Sequence, residues 1–284
     1  MSLGIRGIDH PVIAIRDMAQ GRRTYERLGF TVPPRGSHLE WGTGNWCIMF
    51  ASDYLELRGV VDAGRYLHHL DEFLAVREGL MGVAFDVADA AASFEKAVAA
   101  GVAAMAPREL TRRFELAEGD TFPRFRLVFL GEGAAPGLAG ALMIQHMTPQ
   151  LLRRPEWLEH PNGAVAVQSL TAVVQAPRNA RGAFERLFGH VGGGVQGAIA
   201  VRLERDQGVE LVSPPEAVRR GLALPGVSPP YMAALALRVR DLARTATVLA
   251  KNGVPFERPE PRRLRVGPEQ SCGIICDFVA DAHG

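Results

Sequence analysis

The stretch GIDHPVIAIRDMAQGRRTYERLGFTVPP, residues 7–34, contains the folding unit of the chain. Its first part alternates and is largely apolar, as in a strand, and its second part has the spacing of a helix. Asp17 lies between the two parts, where an aspartate commonly caps the first turn of a helix. Gly29 follows the helix and prolines come after it, which is typical of a helix end. The stretch therefore predicts a strand followed by a helix.

The same pattern recurs three times along the chain. Residues 82–107 repeat it with the aspartate seventy-two positions later, residues 235–259 repeat it in the second half, and residues 169–189 give a weaker copy in which Ala176 replaces the aspartate. In the three stronger copies a glycine follows the aspartate by twelve residues: Asp17 and Gly29, Asp89 and Gly101, Asp241 and Gly253. The chain is therefore built from four copies of one module.

Each helix is followed by about forty residues that form three short strand patterns separated by Gly, Pro or Asp. The repeating element is βαβββ, which predicts an α+β fold with helices packed on one face of the sheets. Pairs of modules make domains, and we expect a first domain over residues 1–150, a linker over 151–161 and a second domain over 162–284.

Composition and motif content argue against several classes of partner and cofactor. A net charge of +1 argues against nucleic acid as a partner, since nucleic-acid binding needs a concentrated basic face. No apolar run approaches the about 18 residues that span a bilayer, so no membrane association is expected. Three cysteines without a CxxC pair fit a reducing compartment, and we expect a cytoplasmic protein. No Walker-type or GxGxxG motif follows a strand, so no nucleotide cofactor is expected.

The segment YLELR, residues 54–58, raises the question of where its carboxylate points. In a strand, Tyr54, Glu56 and Arg58 share one face, while the two intervening leucines share the other. A carboxylate on the solvent face of an antiparallel strand is the ordinary interpretation. The alternative is that Glu56 points into a site, because buried charges are paired or bind a metal.

Four local motifs accompany the modules. They are DHxxxxxxD at 9–17, HxxWGTGN at 38–45, YLEL at 54–57 and HxTPxxxxxPxWxxHPNGA at 146–164. Together with the paired modules they resemble the vicinal oxygen chelate superfamily, and most closely its glyoxalase-like branch. The resemblance covers nearly the whole chain and implies two glyoxalase/dihydroxybiphenyl dioxygenase-like domains, each an incomplete barrel.

The resemblance implies a divalent metal in the first domain. By it, the metal ligands are His10 on the first strand, Glu56 on the fourth and Gln145 on the eighth, whereas the fifth-strand position is Gly82 and supplies none. A mixed nitrogen and oxygen shell suits Zn, Ni, Mn or Fe. In the second domain the corresponding positions offer a poor shell, and we expect no metal there. Those positions are Ser169, Glu210, Ala234 and Cys276.

The HxxWGTGN motif supplies the remaining candidates. His38 is predicted as a general base with a pKa near neutrality, and Trp41, Thr43 and Asn45 as residues that orient a small polar substrate. The other interpretation is a structural turn, in which Gly42 or Gly44 adopts a positive φ. Two further predictions concern nearby histidines: His68 and His69 are assigned to the surface, and His146 to the face opposite Gln145.

Three functions stay open. The leading hypothesis is a metal-assisted lyase or isomerase of the glyoxalase type acting on a small oxygenated substrate, with Glu56 as ligand and base. The second is a metal-free protein that binds and sequesters a small molecule, as bleomycin-resistance members of the superfamily do. The third is an extradiol-type dioxygenase, which needs two histidines and one carboxylate and lacks the second histidine at Gly82. A homodimer is compatible with all three but is not required for a site.

Overall fold

The computed structural model describes residues 3–194, 197–224 and 226–281. The first half contains eight strands and three helices. The strands are β1 (Ile5–Ala14), β2 (Gly36–His38), β3 (Thr43–Met49), β4 (Tyr54–Val60), β5 (Gly79–Val87), β6 (Arg108–Phe114), β7 (Arg124–Phe129) and β8 (Ala141–His146), and the helices are α1 (Met18–Arg27), α2 (Leu70–Val76) and α3 (Ala90–Ala99). The strands close into a barrel in the order β1-β4-β3-β2-β6-β7-β8-β5.

The described part of the second half repeats this plan as an open sheet. Its strands are β9 (Ala164–Val173), β10 (Gly192–Gly193), β11 (Ile199–Arg202), β12 (Gly208–Val212), β13 (Tyr231–Val239), β14 (Glu257–Glu260), β15 (Arg263–Val266) and β16 (Ile275–Ala280), and its helices are α4 (Arg181–Phe188), α5 (Pro214–Arg219) and α6 (Leu242–Lys251). The order is β10-β11-β12-β9-β13-β16-β15-β14. The α+β fold with duplicated βαβββ modules is confirmed.

The two halves differ in closure. In the first, β2 pairs with β6 through Gly36 and Phe114, Ser37 and Arg113, and His38 and Arg112, which seals the ring. In the second, β10 has only two residues and stays at the edge of the sheet with β14 at the other edge. The incomplete barrel that the resemblance implied is therefore found only in the second half.

Helix ends follow the repeated aspartate and glycine. The Asp17 carboxylate accepts from Gln20 N at 2.9 Å, and the aspartates before α3 and α6 make equivalent bonds. The fourth copy has no side-chain cap, and a short 3-10 turn, Pro177–Ala180, precedes α4 instead. The three paired glycines lie just after their helices and have positive φ values that favour glycine: Gly29 at 87°, Gly101 at 65° and Gly253 at 64°.

The segment between the sheets packs onto the barrel. Trp157 stacks on Phe114 at 5.2 Å between ring centroids. His160 accepts from Thr31 N at 3.1 Å through Nδ1 and donates to the carbonyl of Met49 at 3.0 Å through Nε2. The segment therefore packs against the barrel through ring stacking and hydrogen bonds. The domain boundaries at 150 and 162 stay a prediction.

One buried side chain joins the two sheets. Gln207 accepts from Ile8 N at 2.7 Å and donates to the carbonyl of Val167 at 3.1 Å and to the Asp53 carboxylate at 3.2 Å. Asp53 also accepts from Val167 N at 2.8 Å. The strand that carries His10 is thus tied by hydrogen bonds to the second half. No helix in the described residues is long and apolar enough to cross a membrane.

Candidate active site in the first barrel

The barrel of β1–β8 encloses a cavity of about 40 Å³. Its charged and polar lining includes His10, His38, Glu56, Arg58 and Arg112, and Phe125, Leu142 and Ile144 are among its apolar lining. We call this cavity the barrel pocket. A space of this size holds a group of only a few heavy atoms.

Glu56 lies inside the barrel rather than on a solvent face. It is 2% exposed, and Tyr54 and Arg58 line the pocket on the same side of β4, as the alternation predicts. Arg58 holds the carboxylate with two hydrogen bonds, Nε to Oε1 at 2.8 Å and Nη2 to Oε2 at 3.0 Å. Burial opposes ionisation of Glu56, but the charge of Arg58 and the hydrogen bonds from His10 and Arg58 outweigh it and hold its pKa well below the usual range.

A line of proton-carrying groups starts at Glu56 and leaves the pocket. His10 Nε2 lies 3.3 Å from Glu56 Oε2, and His10 Nδ1 lies 2.6 Å from Asp9 Oδ1. The other oxygen of Asp9 lies 2.7 Å from His146 Nε2. Burial lowers the pKa of His10, but its bonds to both carboxylates outweigh burial and raise it. Asp9 and His146 were not among the predicted site residues, although the DHxxxxxxD motif contains Asp9.

The HxxWGTGN motif does line the barrel, with a different chemistry from the one predicted. His38 Nδ1 lies 2.7 Å from Thr43 Oγ1, and the Asn45 amide donates to Glu56 Oε1 at 3.0 Å. Burial and the positive charge of Arg58 lower the pKa of His38 to about 3. This pKa lies below the predicted value near neutrality, because burial and the charges of two guanidinium groups oppose a proton on this ring, and the general-base role of His38 stays a prediction.

The mouth of the pocket is formed by Trp41 and a histidine assigned to the surface. Trp41 and His68 have ring centroids 4.5 Å apart, and both line the pocket. The surface assignment is thus wrong for His68 and correct for the exposed His69. Two successive residues with positive φ, 53° and 61°, turn the chain here and aim the His68 ring inward.

Gly42 is required for space rather than for a positive φ. Neither Gly42 nor Gly44 has a positive φ, so that part of the prediction is wrong. A Cβ atom on Gly42 would lie 2.0 Å from the carbonyl oxygen of Asp62, because the loop that carries His68 crosses directly over it. The glycine therefore lets this loop close on the barrel.

Arg112 is a charged pocket residue that the sequence analysis did not predict. It is 2% exposed, and its guanidinium lies over the rings of Phe114 at 4.7 Å and Phe125 at 5.7 Å. Nη1 lies 2.8 Å from Cys47 Sγ, and Nε and Nη2 have no hydrogen-bond partner among the residues that the structure describes. In the sequence it is half of the pair Arg112-Arg113, and short basic clusters of this kind usually lie on a solvated face. Only the alternation of Leu110, Arg112 and Phe114 distinguishes it from Arg113.

Gln145 is not brought to His10 and Glu56. It lies outside the barrel pocket, and its side chain accepts from Ala90 N at the start of α3 at 3.1 Å. The strand register explains the error: Val12 pairs with Glu56, and its module partner Ala84 pairs with Leu142. Leu142 is therefore the residue equivalent to Glu56.

The donor set does not fit the divalent metal that the resemblance implied. The positions related to His10 and Glu56 are Gly82 and Leu142, which supply no ligand. Both oxygens of Glu56 are already bonded to Arg58, and a second buried guanidinium lines the same pocket. Within the described residues, no group of three or more His, Cys, Asp or Glu side chains is arranged to hold a metal ion.

The corresponding cleft of the second sheet has a volume of about 450 Å³ and is lined by ion pairs. Arg265 binds both oxygens of Asp277, at 2.7 and 2.8 Å, and Arg220 binds Glu210 at 2.8 Å. Cys276 faces the hydrophobic core and is fully buried. The acids of this cleft are thus bonded to arginines.

Comparison with known proteins agrees with this architecture. The sequence model of the glyoxalase-like domain family matches residues 8–188, well over half of the chain. No curated protein matches the chain significantly.

Among solved structures, a hypothetical protein from Staphylococcus aureus is similar with a TM-score of 0.68 and 11% identity, over 96% of this chain and 99% of that one. A mutant of 4-hydroxymandelate synthase from Streptomyces coelicolor has a TM-score of 0.62 and 13% identity, over 98% of this chain and 93% of the synthase.

A xylose isomerase-like TIM barrel/4-hydroxyphenylpyruvate dioxygenase fusion protein has a TM-score of 0.63 and 14% identity, and this chain spans 49% of its length. Likeness at these identities shows the fold alone. With the paired βαβββ modules and the family match over residues 8–188, the chain belongs to the glyoxalase-like domain family of the vicinal oxygen chelate superfamily.

Proposed function

We propose that the barrel pocket binds a small molecule through the protein's own side chains, without a divalent metal ion. The observation that carries the proposal is the pair of hydrogen bonds from Arg58 to both oxygens of Glu56, 2.8 and 3.0 Å long. Both carboxylate oxygens are thus bonded to a guanidinium, which supplies the compensating positive charge that a metal ion would otherwise provide.

The remaining pocket has the character of a ligand site. Apolar side chains of β6, β7 and β8 line the pocket together with charged and polar groups, and small-molecule sites combine the two kinds. Trp41 and His68 flank the opening, where an aromatic pair can cover a bound molecule. This arrangement favours the metal-free binding protein over the metal-assisted lyase and over the extradiol-type dioxygenase.

Elemental analysis of protein purified without chelators tests the metal-free part of the proposal. We expect no stoichiometric Zn, Ni, Mn or Fe in the wild type, and no change in Tm when these ions are added to it. The variants His10→Ala and His69→Ala serve as a matched pair, because His69 is exposed and lies outside the pocket. One ion per chain that is lost in His10→Ala but kept in His69→Ala would overturn the proposal.

Tryptophan fluorescence tests ligand binding itself. A bound molecule should change the emission of Trp41 at the pocket mouth, and the change should vanish in Trp41→Phe. Trp46→Phe is the control, since that indole donates to the carbonyl of Met18 and lies outside the pocket. The absence of a response to every compound in a library of small polar and aromatic molecules would contradict the proposal.

A second candidate function is metal-independent acid/base catalysis. It is favoured by the line from Glu56 through His10 and Asp9 to His146, whose three contacts measure 3.3, 2.6 and 2.7 Å. Such a line can carry a proton between a substrate and the outside of the barrel.

Proton abstraction beside a carbonyl can be followed by ¹H NMR in D₂O, as loss of the signal from α-hydrogens of small hydroxyketones and keto acids. We expect the exchange to slow in His146→Phe and to be unchanged in Gln145→Ala, whose side chain bonds α3. No enzyme-dependent exchange in any compound would refute catalysis and leave the binding function in place.

A further inference from the structure

We propose that the ligand of the barrel pocket is a small carboxylic acid and that Arg112 binds its carboxylate. The inference rests on the proposed function, because it names the class of molecule that the same pocket takes. It starts from one observation: Arg112 is 2% exposed, yet its Nε and Nη2 atoms have no hydrogen-bond partner in the described part of the chain. A buried charge without a partner is unfavourable, and natural proteins rarely contain one unless a ligand completes it.

The two unpaired atoms form one edge of the guanidinium. The N–H groups of Nε and Nη2 point in the same direction and match the two oxygens of a carboxylate. Arg58 uses this same edge to hold Glu56. On the protein surface Arg35 does so again with Glu115, at 3.1 and 3.0 Å. Inside the barrel, Arg112 therefore has an unbonded Nε and Nη2 edge, the same edge through which Arg58 and Arg35 bind carboxylates.

Among the described residues that line or adjoin the barrel pocket, neither Glu56 nor Asp9 is available to fill that edge. Glu56 is held by Arg58, and the two oxygens of Asp9 are taken by His10 and His146. The partner that remains is Cys47, which lies at Nη1, on the other side of the guanidinium. Burial raises the pKa of the Cys47 thiol to about 12, so this sulfur does not supply a negative charge.

The aromatic contacts leave the edge free. Arg112 Cζ lies over the rings of Phe114 and Phe125, which contact the charge through their π-faces and leave Nε and Nη2 without a hydrogen-bond partner. The rings fix the orientation of Arg112 and keep water away, which strengthens a bond to an anion. The cavity of about 40 Å³ and its apolar lining suit a carboxylate on a short apolar body.

Thermal unfolding with matched pairs of compounds tests the proposal. The probes are acetate, propionate and pyruvate, each beside its neutral amide. We expect at least one acid to raise the Tm of the wild type in a saturable way while its amide does not. Arg112→Met should abolish the shift. Arg113→Met is the matched control: its side chain is exposed on the other face of β6, where it pairs with Asp120 at 2.6 Å, and it should retain the shift.

A second variant keeps the test decisive if Arg112→Met does not fold. Arg112→Lys keeps the charge but loses the two-pronged edge, and it should weaken binding of the acid by about tenfold or more. An acid that binds Arg112→Met or Arg112→Lys as tightly as wild type would overturn the assignment.

Two further outcomes separate this inference from the proposed function. If no acid raises the Tm of the wild type but neutral compounds change the Trp41 emission, the carboxylate is wrong and the barrel pocket remains a ligand site. If neither acids nor neutral compounds act on the wild type, both proposals fail.

Discussion

Arg58 and Glu56 are two residues apart on β4 and join inside the barrel through two hydrogen bonds, 2.8 and 3.0 Å long. The pair answers the question that the sequence raised about a carboxylate between leucines. Leu55 and Leu57 pack in the hydrophobic core outside the barrel, whereas Glu56 and Arg58 both face the barrel pocket.

Breaking this pair should destabilise the protein. Glu56→Gln leaves Arg58 buried without a counter-charge, and we expect a loss of about 3–5 kcal/mol in the free energy of unfolding. Glu115→Gln breaks a pair of the same geometry whose arginine side chain is 40% exposed, and should cost less than about 1 kcal/mol. Urea unfolding measures both. Equal losses in the two variants would show that burial does not determine how much the ion pair contributes to stability. The double variant Glu56→Gln/Arg58→Met should recover part of the loss in the free energy of unfolding.

His38 should remain neutral to unusually low pH. Its pKa of about 3 lies below the ordinary value of 6.5, so the unfolded chain takes up this proton first as the pH falls. The stability that His38 contributes is therefore complete above about pH 6.5 and is lost as the pH falls toward about 3. NMR titration of the imidazole, assigned with His38→Gln, measures the pKa directly. A midpoint near 6.5 would contradict the prediction and restore His38 as a candidate general base.

Asp53, which lies where the two sheets meet, should make the protein less stable as the pH rises, whereas His38 should make it more stable. Burial raises its pKa to about 7, against 3.8 for the ordinary group. Between those values the folded protein keeps a proton that the unfolded chain has lost, so this group lowers stability as the pH rises from about 4 to 7. Asp53→Asn should remove that component of the pH profile, as urea unfolding at several pH values can measure. The exposed Asp62→Asn is the control, and a profile unchanged in Asp53→Asn would refute the claim.

Gly42 should be intolerant of a side chain. Gly42→Ala places a Cβ 2.0 Å from the carbonyl oxygen of Asp62 and forces the loop over the pocket mouth to move, at about 1–3 kcal/mol. Gly64→Ala, in the same loop, meets only the end of the Asp62 side chain at 3.3 Å and should be mild. Hydrogen exchange of residues 61–69 should speed up in the first variant alone. Similar exchange in both would mean that the contact does not hold the loop.

The local rules of the sequence were sufficient for the modules. Asp17 and Gly29 mark the first helix because capping and a left-handed turn depend on residue type and spacing alone. Gln145 was misplaced because strand register depends on hydrogen bonds between modules, and a shift of three residues moves a side chain to the other face. Arg112 was missed because the closing pair of β2 and β6, which turns its face inward, joins residues far apart in the chain.

The hydrogen bonds of Gln207 connect the second half of the chain to the strand that carries Asp9 and His10. Its side chain satisfies the backbone N–H of Ile8, the residue directly before Asp9 and His10, at 2.7 Å. The barrel formed by residues 3–146 therefore leaves the N–H of Ile8 to be bonded by a residue of the second half. A substitution at position 207, distant in sequence from every pocket residue, would disturb the backbone that aims Asp9 and His10. The second half, whose own cleft is lined by ion pairs, therefore supports the backbone of the first half, and the residue at position 207 is constrained by the site in the first barrel.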